Sequence, residues 1–353
     1  MNQPNSTPTS SYAYIDRLRV LASVAVILIH VTLGSLDTLT PFGLCWWIGH
    51  WICLVNQWAV PIFVMISGAL LLNPEHRVNT PMHFYKKRFQ KIGWPLLFWT
   101  SVYFGIRKVL DHEPVTAGYI LDHLAKADPP YHTYFLFLMV GLYLVTPVLR
   151  LFVQHTSSPQ RRGLILILFI LSSGYALANA WFWSNERFLL SFFVPYLGYY
   201  LCGYELTQLS DSTLTKRHWA WAIGLSLLYI VLIAFPYTDS LGRQNGRFVL
   251  GYFSVPVIVM SVAIFRAAWQ QDRQTGKQSN RRVEKLTHRI APATFGIYLI
   301  HLAVLVGLRE ATSGHSTSSH FLVNVVPGTI IAFGLSYAIT WVLQKTPGLK
   351  RLV

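Results

Sequence analysis

The chain has 353 residues, 53% of them hydrophobic and only 12% charged, with a mean hydropathy of +0.40. Soluble domains carry about 25% charged residues, so a soluble globular fold is excluded. The formal net charge of +15 raises the possibility of a nucleic-acid partner, and the distribution of that charge along the chain then dismisses it.

Ten apolar segments appear, each near the roughly 20 residues that a bilayer core demands. They run at about 19–36, 47–72, 92–110, 132–149, 163–181, 188–206, 219–235, 247–265, 291–308 and 321–343. The sequence therefore reads as an all-α, polytopic integral membrane protein of about ten transmembrane helices. It forms a single domain over 1–353, with twelve Trp and 18 Tyr suited to interfacial aromatic belts. With both termini cytoplasmic, 22 of the 29 lysines and arginines fall on the inner side, the bias the positive-inside rule requires. The basic balance is thus topology, and no nucleic-acid partner is expected.

Residues 1–11 are polar and uncharged, and they lack the cationic n-region of a signal peptide. They read as a disordered cytoplasmic tail ahead of a retained first helix. That helix carries "YIDRLRVLASVAVILIHV" (14–31), with Arg19 and His30 at either end of an apolar run. Eleven residues at 100° each bring the two within about 20° of a common direction, about 16 Å apart along the axis. Arg19 is placed at the interface and His30 about halfway through the core. An interface anchor explains Arg19, and a satisfied core histidine explains His30. A shared face for two intramembrane ionisable groups favours a site instead.

In the second segment, Ser67 and Gly68 read as small residues that let helices approach closely, with ligand contact by Ser67 as the other reading. Before the third segment, Lys87, Arg88 and Lys91 cluster where the helix enters the bilayer. Positive-inside signalling accounts for them. So does a multiply anionic ligand such as a nucleotide phosphate at the mouth of a cavity. Cys45, Cys53 and Cys202 show neither CxxC nor metal-type spacing. A Cys45–Cys53 pair is possible by position, but apolar filler is the preferred reading, and no metal is expected. Residues 269–290 form the longest polar stretch and read as a cytoplasmic loop. Beyond it, His301 lies about 15 Å into the ninth segment, at a depth similar to that of His30.

These residues resemble the membrane acyltransferase-3 family. "IDRLRVLASVAVILIH" is similar to its opening Arg, ten residues, His, here Arg19 and His30 preceded by Asp16. "VPIFVMISGALL" resembles its F-F-x-x-S-G stretch, and "KKRFQKIGWP" its R-x-x-R entry, with Lys91 in the second Arg position. "YHTYFLFLMVGLYLVTPVL" resembles its W-F-L helix, with Phe135 where Trp is common. "YLGYYLCGYEL", "FGIYLIH" and "KTPGLKRLV" also match, so the likeness spans nearly the whole chain in order and is similar to stand-alone members.

The resemblance implies acyl transfer from cytoplasmic acetyl-CoA, a co-substrate, to a hydroxyl of a surface or lipid-linked glycan at a bacterial inner membrane. Arg19, Arg88, Lys91 and Lys87, with Ser67 nearby, would hold the CoA. His30 would act as general base, or transiently carry the acyl group. Asp16 would orient Arg19, and His301 would stabilise the oxyanion or hydrogen-bond the acceptor. Lys91 offers a point charge where arginine offers a fork, which makes Arg88 the stronger phosphate ligand. Membrane lipids are the remaining partners. The competing readings are a transporter or flippase of lipid-linked sugar, and an O-succinyl transferase in place of an O-acetyl one. No inverted repeat supports transport.

Overall fold

The computed structural model describes residues 13–353 apart from 37–38, 41–42, 74–79, 111, 127, 183–187, 210–214, 241–250, 276–280 and 312–320. The tail at 1–11 lies outside the described residues. Every regular element among the described residues is helical. In chain order these are α1 (Ala13–Leu36), α2 (Leu44–Val55), α3 (Ala59–Leu71), α4 (Pro81–Arg88), α5 (Trp94–Val109), α6 (Ala117–Ala125) and α7 (Tyr134–His155). Then follow α8 (Ser158–Phe182), α9 (Leu197–Gln208), α10 (Lys216–Ser240), α11 (Val255–Thr275), α12 (Arg281–Ile290), α13 (Thr294–Ala311) and α14 (Phe321–Lys345).

Among the described residues, six stretches are long and apolar enough to cross a membrane: Ala13–Leu36, Leu44–Leu71, Tyr134–His155, Ser158–Asn179, Arg282–Ala311 and Val323–Lys345. They coincide with six of the ten expected segments, and the protein is a multi-pass membrane protein. Of the other four, 219–235 lies within the 25-residue α10 and 255–265 within α11, while two fold differently. Residues 92–110 give the 16-residue α5, with Arg107 and Lys108 in its last turn. Residues 188–206 become a turn, a short 3₁₀ segment (Val194–Tyr196) and the 12-residue α9.

That helix is a core element. Gly198 through Leu206 are all buried, and a 12-residue apolar helix is the length of a buried helix, too short for a span. Glycine makes the enclosure possible. A Cβ on Gly68 of α3 would lie 1.8 Å from the Tyr200 carbonyl oxygen of α9, and one on Gly203 would lie 2.0 Å from the Met65 carbonyl oxygen. Backbone thus meets backbone where α3 crosses α9, as small residues permit inside membranes. Arginines close the carboxyl ends of both helices, where carbonyls lack intrahelical partners. Arg150 donates from Nε to Leu71 O at 2.7 Å and from Nη2 to Asn73 O at 3.2 Å. Arg266, 2% exposed, donates to Leu206 O at 2.6 Å and Leu209 O at 3.1 Å and lies 3.9 Å over the Trp269 ring.

The hub of the bundle is α1, which packs against α2, α3, α11, α12, α13 and α14. Its amino end is held by an Arg17–Asp272 ion pair to α11 at 2.9 Å. The expected loop at 269–290 is instead helical at both ends, because α11 continues to Thr275 and α12 resumes at Arg281. Arg266 and Arg273 both stack on Trp269, at 3.9 and 4.6 Å, which carries the first helix on through a polar sequence. Cys45, Cys53 and Cys202 are free thiols, and buried Cys53 and Cys202 fill core space.

Candidate active site

Arg19 and His30 lie on one unbroken helix, as their spacing requires. At the far end of the interval, three imidazoles meet. The His30 ring centre is 5.2 Å from that of His301 on α13 and 6.3 Å from that of His132. His132 and His301 are 4.6 Å apart. His132 sits in a single 3₁₀ turn, Tyr131–Thr133, that leads into α7. The cluster therefore lies beside the start of α7.

Tyrosines hold the cluster in place. The Tyr298 hydroxyl donates to the His132 main-chain carbonyl, fixing the turn that carries the ring. Tyr103 of α5 donates to Leu299 O at 2.6 Å and accepts from Ala303 N, which ties α5 to α13. Its ring centre lies 5.0 Å from that of His132, and Tyr298 packs at 4.8 Å on the same imidazole. His301 Nδ1 lies 2.6 Å from the Tyr298 carbonyl oxygen. A carbonyl only accepts, so Nδ1–H donates there and the neutral ring turns its Nε2 lone pair to the cluster. His301 is 0% exposed and that Nε2 has no hydrogen-bond partner. His132 is 2% exposed, and neither of its ring nitrogens has one.

The basic residues gather at the other end. Tyr143, eleven positions after His132, is reached by the charges of Arg19 and Arg88, about 16 Å along α7 by the helical rise. Hence α1 and α7 run antiparallel and bracket one column, histidines at one end and cations at the other. Lys91 is within electrostatic reach of Arg88, Arg19 and Lys87. Arg88 lies 5.7 Å over Phe84 and 5.8 Å over Tyr143, and its buried Nε has no hydrogen-bond partner. Among the described residues, no acidic side chain forms an ion pair with Arg19, Lys87, Arg88 or Lys91. Between α4 and α5 the chain makes a π-helical turn, Phe89–Gly93, that includes Lys91. Such turns widen a helix and are frequent at functional sites.

Two expected residues point elsewhere. Asp16 accepts from His288 Nδ1 of α12 at 3.0 Å and reaches Arg19 only through space. The Ser67 hydroxyl donates to Phe63 O of its own helix at 2.9 Å. His132 was not anticipated from sequence as a site residue. Its one signal is a histidine at the head of a long apolar run, an ionisable residue where the membrane penalises one.

A family model described as an acyltransferase domain, that of the acyltransferase-3 family, matches residues 12–343. No curated protein and no solved structure shows a match. The match spans almost the whole helical bundle, from the first turn of α1 to within α14, and so takes in the basic cluster and all three histidines. The chain belongs to the acyltransferase-3 family and is a membrane acyltransferase.

Proposed function

We propose that the protein transfers an acetyl group from cytoplasmic acetyl-CoA to a hydroxyl of a surface or lipid-linked glycan, as a multi-pass enzyme of a bacterial inner membrane with both termini in the cytoplasm. The observation that carries this reading is the arrangement along α1 and α7, with cations that have no acidic partner among the described residues at one end and three imidazoles, two of them buried, at the other. Arg88, Arg19, Lys91 and Lys87 hold the CoA phosphates, Arg88 through its fork and the lysines as point charges. The pantetheine arm, extended, covers the distance from Tyr143 to His132. The acceptor approaches from the end of the bundle where α7 begins.

His30 acts as general base. It takes the proton of the acceptor hydroxyl as that oxygen attacks the thioester carbonyl carbon. The tetrahedral intermediate then expels the CoA thiolate, which receives the proton from His30, so the C–S bond breaks as the ester C–O bond is completed. The His30 and His301 rings are 5.2 Å apart, close enough for one N–H···N bond to form between them, about 5 Å between centres, once His30 gains a proton. With its own Nδ1–H committed to Tyr298, His301 accepts from the His30 imidazolium and steadies it. This replaces the oxyanion role expected for His301, which would need that ring charged.

A stand-alone O-acetyltransferase of this kind is similar to that acting on enterobacterial common antigen, and the acceptor belongs to the class of surface or lipid-linked polysaccharide. A flippase is the contrasting function, and acetyl-CoA separates the two. The purified wild-type protein gains thermal stability with acetyl-CoA, as any ligand of the folded state provides, and Arg88→Ala loses that gain. Mass spectrometry of surface glycans from strains with and without the gene shows one acetyl increment lost. A succinyl increment would assign the other acyl group, and an unchanged glycan would reject the reading.

A further inference from the structure

Resting on the acyl-transfer reading above, we infer that His132 is the residue that binds the acceptor hydroxyl, holding it between its own ring and that of His30. A neutral imidazole carries one N–H and one lone pair. Both nitrogens of His132 lack hydrogen-bond partners at 2% exposure, and burying a polar group unsatisfied costs its full desolvation. The main-chain carbonyls of Tyr298 and Leu299 lie within electrostatic reach of the ring, but neither meets hydrogen-bond geometry with it. The Tyr103 hydroxyl donates to Leu299 O, and the Tyr298 hydroxyl donates to the His132 main-chain oxygen. Buried polar groups left this way mark catalytic roles or bound solvent, and the position of this one, beside two further imidazoles, selects the first.

The chemistry of the cluster identifies the ligand. His30 and His301 present lone pairs, whereas the His132 N–H forms no hydrogen bond among the described residues. A thioester carbonyl only accepts and would leave the lone pairs unanswered. A hydroxyl both donates and accepts, so it satisfies an imidazole lone pair and the His132 N–H at once.

The ring spacing agrees. An oxygen about 2.8 Å from one nitrogen on each of two imidazoles, at a tetrahedral angle, sets the ring centres about 6 Å apart. His30 and His132 are separated by 6.3 Å. The His132–His301 distance of 4.6 Å is too short for such a bridge. In this pose the hydroxyl hydrogen points at His30, which removes it. The oxygen lone pair not held by His132 is left to attack the thioester. His132 itself neither gains nor loses a proton.

The experiment compares wild type, His132→Leu and His132→Gln, each purified whole in nanodiscs. Transfer is measured from labelled acetyl-CoA to glycan isolated from a strain lacking the gene, with the melting temperature measured with and without acetyl-CoA. Leucine replaces an unsatisfied polar ring by an apolar group of the interior. Transfer by His132→Leu should therefore fall at least a hundredfold while its melting temperature holds or rises and acetyl-CoA still stabilises it. Glutamine keeps an N–H donor, and His132→Gln should retain more transfer than His132→Leu. Transfer by His132→Leu at the wild-type rate overturns the inference. So does a lowered melting temperature in both variants in step with activity, which would make the ring structural. If the wild type itself transfers no acetyl group, it is the acyl-transfer reading that fails, and the inference goes with it.

Discussion

Two buried polar clusters in this bundle are treated in opposite ways. Around α9, the Glu205 carboxylate, 3% exposed, is answered by Arg161 Nε at 2.7 Å, Arg162 Nε at 3.1 Å and the Ser158 hydroxyl. Around His30, the nitrogens of His132 and Nε2 of His301 form no hydrogen bond among the described residues. The first cluster costs desolvation and recovers it through ion pairs and hydrogen bonds, so its effect is confined to holding α8 against α9. The second leaves its desolvation unrecovered in the protein alone, the signature of groups arranged for a substrate. Burial of charge by itself does not mark a site; burial without a partner, in a cluster, does.

Substitutions can break or sharpen that contrast. The largest effect falls on chemistry. His30→Ala should lower the transfer rate by about a hundred- to ten-thousandfold, the contribution of a general base, while the melting curve stays near wild type. Glu205→Ala should do the reverse. It leaves Arg161, with a side chain 11% exposed, without its counter-charge, which costs about 3–5 kcal/mol and lowers the melting temperature. The rate per folded molecule should not change. Should Glu205→Ala abolish turnover at full stability, the division between the clusters would be wrong.

Gly68→Ala tests the frame that carries both. Its new methyl meets the Tyr200 carbonyl at 1.8 Å, so α3 and α9 must part, at a cost of about 1–3 kcal/mol or more read as lost thermal stability. At the basic end, Arg88→Ala should weaken acetyl-CoA binding by about ten- to a hundredfold, the loss of a charged hydrogen bond. The smallest change is a gain: Lys91→Arg should tighten acetyl-CoA binding a few-fold, since a fork replaces a point charge. Titration of the acetyl-CoA-induced melting shift measures both.

Much of this was legible in the sequence, for identifiable reasons. The pairing of Arg19 with His30 follows from helical periodicity on one unbroken helix, and the depth of His301 follows from counting along another. His132 obeys no such rule. It lies in a 3₁₀ turn before α7, and no spacing relates it to His30, 102 positions upstream, or His301, 169 positions downstream; only the packing of α1, α5, α7 and α13 brings the three together. Hydropathy also misread 188–206, because an apolar run that Tyr196, Gly198 and Gly203 fit for a protein interior scores like one fit for lipid. The π-helical turn around Lys91 leaves no trace in composition.

The central claim is that His30 and His301 handle one proton as a unit, and a double-mutant cycle on the acetyl-transfer rate tests it most directly. His30→Ala, His301→Ala and the double variant are compared with wild type at saturating acetyl-CoA. If the account holds, the double variant is about as slow as His30→Ala alone, because removing a partner from a broken pair changes little. Penalties that simply multiply, or a His301→Ala enzyme that turns over at the wild-type rate, would contradict it.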